Sequence, residues 1–130
     1  MNLDKEKLKN FEKLPADVRR EFSLLMNQYG QKKKESHIKS DFMSFVKHVW
    51  PDFIEGSHHK EVAKKFNEIA EGKTKRVIIN MAPRHTKSEF ASYLLPAWMV
   101  GRNPKLKIIQ STNTTELSVR FGRKAKALMD

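Results

Sequence analysis

The sequence predicts an α/β fold: a parallel sheet carrying a phosphate-binding loop, preceded by a helical N-terminal region. Three observations predict it. The apolar run Val77-Ile78-Ile79 breaks into a short polar loop, and a helical pattern starts at Lys87-Ser88. A second apolar run, Leu106–Gln110, follows that helix and leads into another helical pattern. Upstream of residue 76, apolar residues recur at helical spacing. A strand–helix–strand of this length implies a right-handed parallel crossover. Parallel sheets normally have more than two members and are covered on both faces, so this chain is expected to hold only the first strands of a larger sheet.

The elements follow in order. Leu8, Phe11 and Leu14, spaced three apart, predict a helix over 3–14. Val18, Phe22, Leu25 and Met26 predict a second over 16–29, with Pro15 between the two and Asp17 and Glu21 in its early part. Gly30 is expected to end it, and Gln31–Ser40 (QKKKESHIKS) reads as a polar, basic linker. Asp41 caps a third helix with Phe42, Phe45, Val46 and Val49 on one face, and Trp50-Pro51 stops it. Ser57 is read as the N-cap of a fourth helix, with Val62, Phe66 and Ile69 as its apolar row and Gly72 closing it.

Then come the strand Arg76–Asn80, the loop 81–86 and a helix over 87–95. Phe90, Leu94 and Trp98 form one row, and Ala91, Leu95 and Met99 another; both rows are expected to face the sheet. Pro96 removes a backbone donor, which predicts a kink or a restarted helical turn. Gly101–Pro104 is a loop and Leu106–Gln110 the second strand. Thr114 or Thr115 caps a last helix to about Met129, with Leu117, Phe121, Ala125 and Leu128 as its buried row.

The chemistry of the loop explains that order of parts. A strand gives the loop a rigid base, and backbone N–H groups turned inward form an anion nest. The N-terminus of the next helix aims unpaired N–H groups at the same phosphates. Lys87 reaches the β- and γ-phosphates, and the Ser88 hydroxyl is the Mg²⁺ ligand. The two usual glycine positions of G-x-x-x-x-G-K-[ST] hold Met81 and Thr86. Glycine serves where the backbone needs φ > 0, and a β-branched residue tolerates that poorly. On this pattern alone, an ordinary strand–turn–helix with a basic loop stands level with a nucleotide site.

Composition narrows the classes. The chain of 130 residues carries no cysteine, which excludes disulfides and cysteine-based zinc sites. No signal-peptide pattern is present at the polar N-terminus, and the longest apolar stretch, Phe90 to Val100, is shorter than the ~20 residues of a membrane helix. The formal charge is +11. Residues 41–75 carry six Lys/Arg and six Asp/Glu, whereas 76–130 carry ten against three. Positive potential concentrated beside a phosphate loop suits polyanions, nucleotide or DNA. The run Lys32-Lys33-Lys34 is read as solvated.

MAPRHTKSE at 81–89, PAWMVGRNP at 96–104, KLKIIQSTNTTEL at 105–117 and VRFGR at 119–123 together resemble the large terminase subunit of tailed bacteriophages. Gly56-Ser57-His58-His59 and Glu71-Gly72 before Arg76 also resemble that family's lead-in. The likeness covers about residues 40–130. It implies a RecA-like P-loop NTPase fold, with residues 1–40 as a helical extension and linker and 41–130 as the N-terminal portion of the ATPase domain. The family hydrolyses ATP to pump double-stranded DNA into a procapsid and cuts concatemers with a separate nuclease domain. The implied cofactors are ATP and Mg²⁺. The implied partners are DNA, a portal protein, a small terminase subunit and the rest of the terminase chain; no membrane is implied, and the host cytoplasm is the expected location. The departure is Thr86, where the family usually has glycine.

The candidate site residues follow. Met81, Ala82, Pro83, Arg84, His85, Thr86, Lys87, Ser88 and Glu89 form the nucleotide loop, with Lys87 and Arg84 in catalytic roles. The resemblance implies that Arg84 lies close to the γ-phosphate as an internal sensor or arginine finger; the ordinary reading is a salt bridge to Glu89 or solvent exposure. His85 reads as a loop side chain. His59, Trp50 and Phe53 are candidates for the adenine side, although such aromatics are more often core. Ser111, Thr112, Arg120, Arg123 and Lys124, joined by Lys126, are candidate DNA contacts, against an ordinary solvated helix. No apolar strand ends in an acidic Mg²⁺-positioning residue, since the acids after Ser88 are Glu89, Glu116 and Asp130. The expectation is a piece of a larger subunit with little turnover of its own. The rival readings are a non-enzymatic basic nucleic-acid-binding module and a fragment of another P-loop enzyme such as a helicase or kinase.

Overall fold

A computed structural model describes residues 14–129. The helix expected over 3–14, with Leu8 and Phe11, lies outside the described residues apart from Leu14. The chain divides into two units, Met1–Ser36 and His37–Asp130.

Helix α1 (Ala16–Ser40) runs unbroken through Gly30, so the expected stop and the expected polar linker are both corrected. A glycine inside a helix costs ~1 kcal/mol relative to alanine. Gln31, the three lysines and Glu35 behind it are strong helix formers, and each extends the hydrogen-bond ladder. The helix has no buried residue among those described.

In the second unit, α2 (Phe42–Val49) and α3 (Ser57–Ala70) pack together. The chain next forms α4 (Lys87–Glu89), a π-helical turn (Phe90–Leu94), α5 (Leu95–Arg102) and α6 (Thr115–Ala127). Asp41 caps α2 by accepting from the Ser44 N–H at 2.7 Å. Asn67 of α3 ties this cap across: its Oδ1 accepts from the Phe42 N–H and its Nδ2 donates to Asp41, both at 2.9 Å. Burial opposes ionisation of Asp41, but the hydrogen bonds from Asn67 and Ser44 prevail and hold its carboxyl below the ordinary value.

Fully buried Phe42 is the centre of the core, meeting Phe66, Phe90 and Trp98 edge-on at centroid distances of 5.0, 5.4 and 5.4 Å. Each such pair adds about 0.5–1.5 kcal/mol beyond area burial. Trp98 keeps its indole N–H satisfied on the Ile38 carbonyl at 3.0 Å. The row Phe90, Leu94 and Trp98 is buried, yet it packs on α2 and α3 and not on a sheet.

The expected parallel sheet is overturned: the described residues are mainly helical, with no strand among them. Segments 76–80 and 106–110 are irregular, and Ile78 and Ile109 are 89% and 97% exposed. The reason is physical. A helix satisfies its backbone internally, whereas a strand exists only where a neighbour completes its ladder. The alternation in the first segment still operates on one side: Ile79 packs against the core while Ile78 faces out.

The π-helical turn has its own cause. Pro96 offers no N–H, so the ladder shifts a step before it and the Leu95 N–H reaches back to the Phe90 carbonyl. Pro96 then sits in the first turn of α5, where a missing donor costs least. No described helix is long and apolar enough to cross a membrane.

Candidate functional site

Met81 through Glu89 line a cavity of about 430 Å³. Its shape comes from two unusual backbone positions, Arg84 at φ 65° and Thr86 at φ 56°, ψ 8°. Both are left-handed, and for a β-branched residue that costs about 1–3 kcal/mol. Position 86 is thus where a positive φ is needed, and threonine meets that need under strain. The Thr86 carbonyl accepts the Phe90 N–H at 2.9 Å, the first bond of the helix that follows. The amides of Lys87, Ser88 and Glu89, at the start of that helix, have no partner within it.

The side chains in the loop are arranged as follows. Lys87 is exposed and folds back so that its ammonium donates to the Met81 carbonyl at 3.3 Å, across the mouth of the loop. Ser88 is exposed beside it, as are Ala82, Pro83 and Arg84. His85 donates from Nδ1 to the Pro83 carbonyl at 2.9 Å, a contact within the loop. Glu89 does not pair with Arg84. It meets Lys124 of α6 at 3.2 Å and accepts from the Tyr93 phenol. Burial and then this hydrogen bond push Tyr93 up to about 12. The Lys124 ammonium also lies over the Tyr93 ring at 4.8 Å.

His59 is brought to the loop in a way the sequence did not announce. The N-cap of α3 is Gly56, one residue before the expected Ser57, and Thr114 caps α6 by accepting from the Leu117 N–H. Gly56 has no capping side chain. Instead its own N–H donates to His59 Nδ1 at 2.9 Å. That bond requires Nδ1 to be unprotonated and so places the ring proton on Nε2. Nε2 donates to Thr86 Oγ1 at 2.7 Å, and the Thr86 hydroxyl donates to the His85 carbonyl at 2.7 Å. A directed chain of hydrogen bonds therefore runs from the N-cap of α3 into the loop. His59 is buried. Its pKa is held below the ordinary 6.5 by burial and then by His58, while Glu55 pulls the other way and His85 adds to the lowering.

The remaining candidates are placed as follows. Phe53 packs on His59 at 4.8 Å and on Phe90 at 5.4 Å at the rim of the core, with Trp50 against it at 5.3 Å. Thr112 donates to the Thr114 carbonyl and meets the Ser118 hydroxyl, both at 2.7 Å, at the start of α6. Ser111 is exposed and lines a separate groove with Ala91, Pro96 and Leu106. Arg120, Arg123 and Lys126 are exposed on α6, whereas Lys124 is held by Glu89. Phe121 and Ala125 are buried, and Leu128 of the expected row is exposed. Among the described residues no cluster of three or more His, Cys, Asp or Glu could hold a metal ion.

His59 was expected on the adenine side and not as the partner of Thr86, and Tyr93, bound to Glu89, was not singled out. The one clue to His59 in the sequence was Thr86 itself: a threonine where φ > 0 is required implies a neighbour that holds it. No family model, curated protein or solved structure matches this chain.

Proposed function

We propose that the loop Met81–Glu89 binds the phosphates of Mg·ATP and that the chain serves in a bacteriophage terminase large subunit, the ATP-driven pump of viral DNA packaging. One observation carries the reading: two left-handed residues shape a cavity immediately before a helix start, and the Lys87 ammonium is folded over it. Lys87 would exchange the Met81 carbonyl for phosphate oxygens, a charge-assisted bond about twice as strong as a neutral one. The free amides at 87–89 serve the same anion. Ser88 lies next to Lys87 for the Mg²⁺. The spaced motifs from 81 to 123 supply the terminase part, with portal protein, small subunit and the rest of the terminase chain as partners in the host cytoplasm. The exposed Arg120 and Arg123 are the DNA-facing cations.

Calorimetry with Mg·ATP tests this. Wild-type chain is expected to bind weakly and turn over almost no ATP, and Lys87→Ala to lose about ten-fold or more in affinity. Equal affinity of both proteins would overturn the reading, and robust Lys87-dependent turnover would overturn the expectation of weak catalysis. The exposed cations of α6 favour, second, a plain nucleic-acid-binding module. Such a module would lose DNA affinity steeply with salt and show no Mg²⁺-dependent preference for ATP.

A further inference from the structure

We propose that His59 is a positioning residue that takes the place of a glycine at position 86: its neutral ring clamps Thr86 in the left-handed conformation and so holds the anion loop open. The inference rests on the loop being a phosphate site, and it names what regulates that site.

Three features of the geometry carry it. The chain Gly56 N–H to His59 Nδ1, Nε2–H to Thr86 Oγ1, and Thr86 O–H to the His85 carbonyl fixes one tautomer and one Thr86 rotamer, with bonds of 2.9, 2.7 and 2.7 Å. The ring is held on its other sides by Phe53 at 4.8 Å, Phe90 at 5.3 Å and His58 at 3.8 Å. The fulcrum is closely packed: a Cβ on Gly56 would lie 2.9 Å from His58 Cε1, so a larger residue there displaces the ring that stacks on His59 at 3.8 Å. A buried imidazole fixed this firmly can keep a β-branched residue at φ 56°.

A pH dependence follows. Protonating Nδ1 sets two donors against each other at Gly56 and breaks the first bond of the chain. The charged or titratable groups around the ring are His58 from its own helix, Glu55 from the preceding segment and His85 from the loop. The π-helical turn contributes only Phe90. Burial, and then His58 and His85, oppose a charge on His59 against the pull of Glu55, so the ring stays neutral at pH 7 and gains its proton only below 6.5. Acid therefore frees the ring from its anchor at Gly56 while Nε2–H still donates to Thr86 Oγ1, so the clamp loses its fixed end and the loop's hold on phosphate weakens.

The test is a mutant cycle read by Mg·ATP affinity. His59→Ala is expected to weaken binding about ten-fold with Thr86 in place, and less than about two-fold in a Thr86→Gly background, where glycine adopts φ > 0 unaided. Equal losses in both backgrounds, or none in either, would overturn the proposal. A second readout avoids any folding defect of His59→Ala. As pH is lowered from about 7.5 through the range where NMR shows the His59 ring gaining its proton, the affinity ratio of wild type to Thr86→Gly should fall, and a ratio constant across that protonation counts against the clamp. Should wild type bind no Mg·ATP, the phosphate reading fails by itself. The clamp is then decided by backbone scalar couplings at Thr86 in His59→Gln: a change to negative φ supports it, and an unchanged positive φ sinks it.

Discussion

Two kinds of apolar sequence in the same unit meet opposite fates. Phe42, Phe66, Phe90, Leu94 and Trp98 lie on helices and are at most 2% exposed. Ile78 and Ile109 lie in runs at least as apolar and are 89% and 97% exposed. Hydrophobicity does not separate them. The helices bring their backbone hydrogen bonds with them and need only a face to pack, whereas the two runs need a neighbour's N–H and C=O groups before burial is possible. A run of apolar residues thus states a preference for burial and leaves open whether the backbone has been provided for.

The largest effect is expected in the core. Phe42→Ala should cost about 3–5 kcal/mol in urea unfolding, because it empties a fully enclosed site facing three aromatic rings; a loss under 1 kcal/mol would mean the helical core is not as tight as drawn. Asn67→Ala should cost about 1–3 kcal/mol, since it strips the Asp41 carboxylate and the Phe42 N–H of a shared partner.

Acid sharpens the picture from another side. His59 and Asp41 both have folded-state pKa values below their ordinary ones. The unfolded chain therefore takes up protons first, and stability falls as pH drops. The His59 contribution is fully present above its ordinary 6.5 and is lost as pH falls through the lower folded value. That of Asp41 is present above 3.8 and is lost below it. Two successive declines in melting temperature are expected, with the upper one missing in His59→Gln.

Thr86→Gly should move stability by no more than about 1 kcal/mol. Relief of about 1–3 kcal/mol of backbone strain is offset by the lost bond to His59 and by glycine's extra freedom when unfolded. The smallest effect belongs to the exposed runs. Ile78→Thr and Ile109→Thr should change stability by less than about 0.5 kcal/mol, and amides 76–80 and 106–110 should exchange with deuterium quickly. Slow exchange there would show that these runs are paired.

Much of the second unit was readable beforehand. The α2 cap at Asp41, the rows Phe42/Val46 and Phe90/Leu94/Trp98, and the interruption at Pro96 follow from spacing and from local backbone chemistry. So did the need for a positive φ at position 86. Gly30 misled because a local cost of ~1 kcal/mol was weighed without the helix formers behind it. The sheet misled because two short apolar runs joined by a helix fit a parallel crossover, yet among the described residues neither run has a neighbour to complete its ladder.

Spacing along the chain was enough to find most of the helices and their apolar rows, and a basic turn at 81–89 ahead of a helix, though not the continuation of α1 past Gly30. Those properties are local, set by bonds within a few residues. The three-dimensional packing settled the rest: the helical rows meet one another, the runs at 76–80 and 106–110 stay unpaired, and His59 reaches across 27 residues to Thr86. Such contacts depend on which surfaces meet in space, and no spacing along the chain encodes that.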